Sequence, residues 1–173
     1  QYVVSCGKIT HTWYETYKQE HTISDSLFSF RHLISYVDVW HNFKSLSNTR
    51  DFFYQQRFNA GYSDNAPTVA DFLTQKASEC LFAEYPETQW TTKWNIDRVV
   101  ETFHLTSLLT KHLIKLSNGE TKRVRIGAAL LKNPKILLLD NPLNGLDVDT
   151  RGKFEEIFAD IAASGITLVM ATS

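Results

Sequence analysis

Four apolar residues in a row close on an acid at Ile136-Leu137-Leu138-Leu139-Asp140, and a second apolar run, Ile166 to Ala171, comes after it. Both runs are far too short to span a bilayer. An unbroken apolar run of this length suits a strand buried on both faces of a parallel sheet. Parallel neighbours need a crossover, and the intervening residues supply one. Phe154, Ile157, Phe158 and Ile161 recur at helical spacing, Asp149 or Thr150 can cap the start, and Ser164-Gly165 can end it. Upstream, Ser117 followed three residues later by Glu120 is a capping box, in which hydroxyl and carboxylate each satisfy a free backbone N–H. It predicts a helix to about Lys132 with Val124, Ala128 and Leu131 on its inner face, stopped by Asn133-Pro134. The order helix, strand, helix, strand predicts an α/β unit with parallel strands.

The rest of the chain is less regular. Tyr2-Val3-Val4 and Ile34–Val37 have strand composition. Residues 42–67 are polar and read as a long loop around an Arg50–Arg57 segment. Thr68 is an N-cap candidate for a helix over roughly 68–82, with Val69, Phe72, Leu73 and Ala77 on one face. A further helical pattern runs from Ile96 through Val99, Val100, Phe103, Leu105, Leu108 and Leu109 to Leu113 and Ile114. Residues 68–114 therefore read as a mostly helical block.

Composition narrows the function classes. The 173 residues carry 18 Lys+Arg against 19 Asp+Glu, a net charge of −1, so nothing overall favours a polyanionic partner. With 43% hydrophobic and 21% charged residues the chain is neither a disordered tail nor a coiled coil. Two cysteines, Cys6 and Cys80, make no disulfide framework and point to a reducing compartment. The six histidines are scattered without metal-ligand spacing.

Chemistry concentrates in the last third. A helix opening with Ser117, Asn118 and Gly119 presents free N–H groups and a positive dipole end, which suits phosphate oxygens. An acid at the carboxyl end of a buried strand lies where nucleotides bind in α/β sheets, and Asp140 there can hold Mg²⁺. Leu116-Ser117-Asn118-Gly119-Glu120 resembles the signature motif of the ABC ATPases, usually Leu-Ser-Gly-Gly-Gln. Ile136–Asp140 resembles their Walker B strand, Asn144–Asp147 their D-loop, and Thr167–Ser173 the strand leading into the switch histidine. Four such segments in order are a specific resemblance over residues 113–173. The aromatic and polar stretch Phe52 to Asn59 is similar to the molybdate-transport and photorepair-like members.

The resemblance implies an α/β, P-loop NTPase-type core with a parallel sheet and an α-helical subdomain. It divides the chain into residues 1–41 (core after the P-loop), 42–67 (a Q-loop-like linker), 68–132 (helical subdomain ending in the signature helix) and 133–173 (Walker B and D-loop). It implies ATP and Mg²⁺ as cofactors. Ser117, Asn118, Gly119, Glu120, Asp147 and either Gln55 or Gln56 would be nucleotide-binding, with Asp140 as the metal ligand. In the family each ATP is sandwiched between the P-loop and Walker B of one domain and the signature helix of another. The implied partners are therefore a second ATP-binding domain and, in transport, a membrane subunit, with the chain cytoplasmic at the inner face of the membrane.

The departures matter too. No Gly-x-x-x-x-Gly-Lys-Ser/Thr occurs, and the expectation is a chain that starts downstream of that loop. Asn141 stands where the family's catalytic Glu follows the Walker B Asp, and a carboxamide cannot take a proton from water. Ser173 (Thr172 in the other register) stands at the switch histidine. Asn118 and Glu120 replace Gly and Gln. The expected function is ATP binding and hydrolysis coupled to domain dimerisation, with a degenerate hydrolytic site and no activity in this chain alone. The alternatives are a non-catalytic dimerisation or regulatory module, or a DNA-repair-type ABC ATPase. Taken singly, the motif residues have blander roles. Ser117 and Glu120 are a helix cap, Asp140 a turn acid, and Gln55 and Gln56 loop residues. The seven basic residues over 111–135 are a solvated face or complement a polyanion.

Overall fold

The computed structural model describes residues 12–24, 28–39, 43–44, 51–52, 66–79 and 94–172. Helices are α1 (Thr12–Glu20), α2 (Val69–Ser78), α3 (Ile96–Thr102), α4 (Asn118–Leu130) and α5 (Val148–Ala163). Strands are β1 (Ile34–Val37), β2 (Phe43–Lys44), β3 (Asp51–Phe52), β4 (Ile136–Asp140) and β5 (Thr167–Ala171). β1, β4 and β5 form one sheet in that order, all parallel, with Ile34, Ile136 and Thr167 in register. The predicted strand at 2–4 lies outside the described residues.

The helix starts follow their caps. Thr68 accepts the Asp71 N–H and Asp71 accepts back from Thr68, so α2 begins where the sequence predicts; Glu79 closes it, earlier than residue 82. Ser117 and Glu120 make the same reciprocal pair for α4, which ends at Leu130 before Asn133 turns left-handed at φ 48°. The cap of α5 is Asp147, not Asp149 or Thr150, because its carboxylate accepts the Thr150 N–H at 2.8 Å.

Three expectations give way. The pattern from Ile96 is not one helix to 114. α3 stops at Thr102, His104 takes φ 50°, and short 3₁₀ turns at Thr106–Leu108 and Leu113–Lys115 carry the remaining apolar residues inward. The polar stretch 42–67 is not all loop, since β2 and β3 pair antiparallel through Phe43 opposite Phe52. The sheet, finally, is covered on one face only among the described residues. Ser35, Leu137 and Leu139 share the face covered by the helices and are buried, whereas Tyr36 and Val169 on the other face are 59% and 48% exposed. β5 is thus an exposed edge among the described residues. An apolar run reports that a strand lies in a sheet, not that both faces are covered.

The core sits between the sheet and the helices. α4 packs against α2, α3 and β1, while α5 packs on β5. Trp94, 1% exposed, binds the two helix ends together. Its N–H donates to Asn133 Oδ1 at 2.9 Å, its indole N–H to Ser164 Oγ at 3.2 Å, and the Arg98 guanidinium stacks over its ring at 4.0 Å. A smaller cluster of Tyr14, Tyr17, Phe28 and Leu33 seats α1 before β1.

The tightest approach is at Gly127 of α4, where an added Cβ would meet Val99 Cγ1 of α3 at 2.6 Å. Alanine raises helix propensity by about 1 kcal/mol over glycine, but that overlap must be relieved inside a packed core. We expect Gly127→Ala to lose about 1–3 kcal/mol of stability. Urea unfolding checks this: an unchanged or raised midpoint would show that α3 and α4 are free to separate.

Candidate functional site

The N-terminus of α4 and the turn before α5 face each other across a cavity of about 520 Å³, lined by Ser117–Glu120, Arg123, Asp147, Thr150 and Lys153 among others. The first turn of α4 leaves the Asn118 and Gly119 N–H groups without an intrahelical partner. The Glu120 N–H is taken by Ser117 Oγ at 3.2 Å and the Thr121 N–H by the Ser117 carbonyl at 2.8 Å. Gly119 lies against Leu146 and Thr150, where a Cβ would make ordinary contacts at 3.6 and 3.7 Å. Two unpaired N–H groups, a helix dipole and two basic side chains at the rim make the cavity an anion acceptor.

Glu120 sets the charge there. Burial pushes its carboxyl pKa up. The Lys111 ammonium, 2.8 and 3.1 Å from its two oxygens, and the Ser117 N–H at 2.7 Å pull it down further, and the net position is below the ordinary value. Its negative charge is matched by Lys111 and does not stand alone facing an incoming anion. Asp147 is committed elsewhere: the Thr150 N–H and hydroxyl, both at 2.8 Å, hold its carboxyl below the usual range. In this geometry Asp147 is first a helix cap.

Asp140 and Asn141 do not line this cavity. They lie at the carboxyl end of β4, where the Asn141 N–H continues the ladder to the Ala171 carbonyl at 2.8 Å. Asn141 is left-handed at φ 44° and its amide donates to Asp140 Oδ1 at 3.1 Å. Sequence reasoning missed Tyr36, one strand over on the same sheet face. Desolvation, then the Asp140 and Asp38 charges, raise the pKa of its phenol. The signal was available: in parallel strands, residues two apart share a face. No group of three His, Cys, Asp or Glu close enough to cage a metal occurs among the described residues. A single carboxylate at a strand end still fits Mg²⁺, which binds through one or two carboxylates and completes its shell with waters and phosphate oxygens. Asp140 has the right chemistry for that role. Gln55, Gln56 and Ser173 lie outside the described residues.

Lys122, one turn into α4, connects the two places. Its ammonium donates to the carbonyls of Asn141 at 3.3 Å, Pro142 at 3.0 Å, and Asn144. Burial, then the Arg125 and Arg151 charges, lower its pKa. Of the other basic residues over 111–135, Arg123 donates to the Phe103 and His104 carbonyls, Arg125 pairs with Asp38, and Lys135 sits over the Tyr17 ring. Much of this charge is consumed inside the fold.

An α/β sheet with an acid at a strand end and a capped helix beside a cavity is a fold that comparison with known proteins identifies. The family model described as ABC transporter matches residues 4–144, and the chain belongs to that family as an ABC ATPase domain. The ABC transporter ATP-binding protein ModF of Escherichia coli (strain K12) is 40% identical over 73 residues, 42% of this chain and 15% of ModF. The molybdenum import ATP-binding protein ModC of Paramagnetospirillum magneticum is 44% identical over 68 residues, 39% of this chain and 19% of ModC. The matched stretches thus span less than a fifth of those relatives. Among solved structures, cbiO1 from Clostridium perfringens, part of the ABC transporter complex cbiONQ, superposes on 82% of this chain and 47% of its own with a TM-score of 0.53 at 24% identity, a likeness of fold. No described helix is long and apolar enough to cross a membrane.

The Glu120 network predicts an acid-sensitive helix start. A carboxylate whose folded pKa lies below its ordinary 4.5 contributes stability that is present above that value and lost as pH falls through the folded pKa. We expect the stability of Glu120→Gln to fall less steeply than wild type below about pH 4.5. Urea midpoints measured across pH 3 to 7 check this, and parallel curves for the two proteins would refute it.

Proposed function

We propose that this chain is the ATP-binding domain of a transport-type ABC ATPase, coupling ATP binding and hydrolysis to the association of two such domains at the cytoplasmic membrane face. The observation that carries the reading is the separation of the two ends. The anion-accepting cavity at Ser117–Glu120 excludes Asp140 from its lining, so one chain offers a phosphate site and a metal acid in different places. A sandwich in which each nucleotide is shared between two domains calls for that division. In it Asp140 would hold Mg²⁺, with the Asn141 amide fixing its carboxylate. Magnesium supplies neutralisation of the phosphate charge. Ser117, Asn118 and Gly119 meet the terminal phosphate of the nucleotide held by the other domain. Lys111 keeps Glu120 from repelling it. The molybdenum import function named for ModC supports a transport setting.

A second reading has one observation in its favour. Asn141 donates its amide to Asp140 and offers no base for an attacking water. A domain built this way binds nucleotide and completes its partner's site without turning over its own.

The test is magnesium-dependent ATP binding and hydrolysis by the protein that carries this chain, with Asp140→Asn beside wild type. We expect wild type to bind Mg-ATP and the variant to lose at least about tenfold in affinity for the magnesium complex, the scale on which weakened metal sites respond. Binding without turnover selects the second reading. Absence of ATP binding in wild type overturns both.

A further inference from the structure

Lys122 is built into the fold in a way its position does not require. A lysine in the second turn of a helix ordinarily sends its ammonium to water or to a carboxylate. Here it has no carboxylate within ion-pair reach among the described residues. Its three protons go to three backbone carbonyls of one turn, Asn141, Pro142 and Asn144. That turn is under conformational demand. Asn141 and Gly145 are both left-handed, at φ 44° and 71°, and the turn's backbone bonds include the Asn144 N–H to the Asn141 carbonyl at 3.1 Å and the Leu146 N–H to the Leu143 carbonyl at 3.3 Å. Asn144 and Gly145 are exposed, so little side-chain packing holds this part of the turn. The turn joins Asp140 to Asp147, and Lys122 lies five residues beyond Ser117 on α4.

We propose that Lys122 is a positioning residue. By gathering the Asn141, Pro142 and Asn144 carbonyls it makes the turn between β4 and α5 move with the phosphate-facing end of α4, so that occupancy of the cavity is felt at Asp140. The proposal rests on the nucleotide reading above for its ligand, but the clamp itself does not. A neutral side chain of similar length loses the charge-assisted donors, and arginine keeps a cation that can reach several carbonyls. The contact is made to backbone, so the partner cannot be mutated away, and the effect must be read at the turn.

The experiment is backbone hydrogen exchange on the protein that carries this chain, for wild type, Lys122→Met, Lys122→Gln and Lys122→Arg, with and without Mg-ATP. Without nucleotide, the Met and Gln variants should exchange at least about tenfold faster over residues 143–147, with the core stretch Phe154–Ile161 unchanged. Arginine should restore slow exchange. With Mg-ATP, wild type should slow exchange at both 118–121 and 143–147, while the Met variant keeps the first response and loses the second. Unchanged exchange at 143–147 in both neutral variants, or an equal rise over 154–161, overturns the clamp. A response at 143–147 that persists in Lys122→Met overturns the transmission. If wild type shows no response at 118–121, the nucleotide reading fails and the transmission with it, while exchange without nucleotide still decides the clamp.

Discussion

Everything in this domain is referred to α4, and α4 is fixed at its first turn by the reciprocal bonds between Ser117 and Glu120, with Lys111 locking Glu120 in place. A cap of this kind is worth only about 1 kcal/mol as a local interaction. Its consequence is larger because the helix it starts runs through the core. Thr121, Val124, Ile126, Gly127, Ala128 and Leu130 are all buried, so the register set at Ser117 decides which side chains enter the core. One face of the helix meets the sheet at β1, where Ser35 Oγ donates to the Ala129 carbonyl at 3.0 Å, and α2 and α3 close over the others. The same turn that starts the core also leaves two N–H groups turned toward solvent. Folding and the proposed anion site therefore share one backbone geometry.

That economy explains the arrangement of charge. A cavity that accepts an anion should be basic, yet the chain is nearly neutral. Several cations are engaged within the chain: Lys111 on Glu120, Arg123 and Lys122 on carbonyls, Arg125 on Asp38. The cavity is faced chiefly by the helix end with Arg123 and Lys153. The backbone supplies the recognition and the side chains hold it in place.

The sequence made some of this legible and hid the rest for physical reasons. The N-cap at Thr68 and the capping box at Ser117 were readable because each is a local hydrogen-bond exchange, and the β4–α5–β5 order came from periodicity. The break after α3 was not, because Phe103, Leu105, Leu108 and Leu113 keep helical spacing while two 3₁₀ turns deliver them to the core by another path. Burial of β4 and β5 was overestimated because apolarity records what a strand can tolerate, not what covers it. At the site, Ser117–Glu120, Asp140 and Asp147 stood out as motif residues. Tyr36 and Lys122 did not, since their importance comes from partners about a hundred and about twenty positions away in sequence, brought near by parallel pairing and by a turn. The cap role of Asp147 was missed because Asp149 and Thr150 offer the same chemistry two and three residues on.

If the cavity at Ser117 takes a phosphate belonging to another domain's nucleotide, blocking it must break association and spare nucleotide binding. Small-angle X-ray scattering of the protein that carries this chain, with and without Mg-ATP, reads this directly when Ser117→Arg is set beside wild type. Filling the cavity with a guanidinium should abolish ATP-driven compaction or association while calorimetric ATP binding survives. Loss of ATP binding together with association, or association that Ser117→Arg leaves intact, would contradict it.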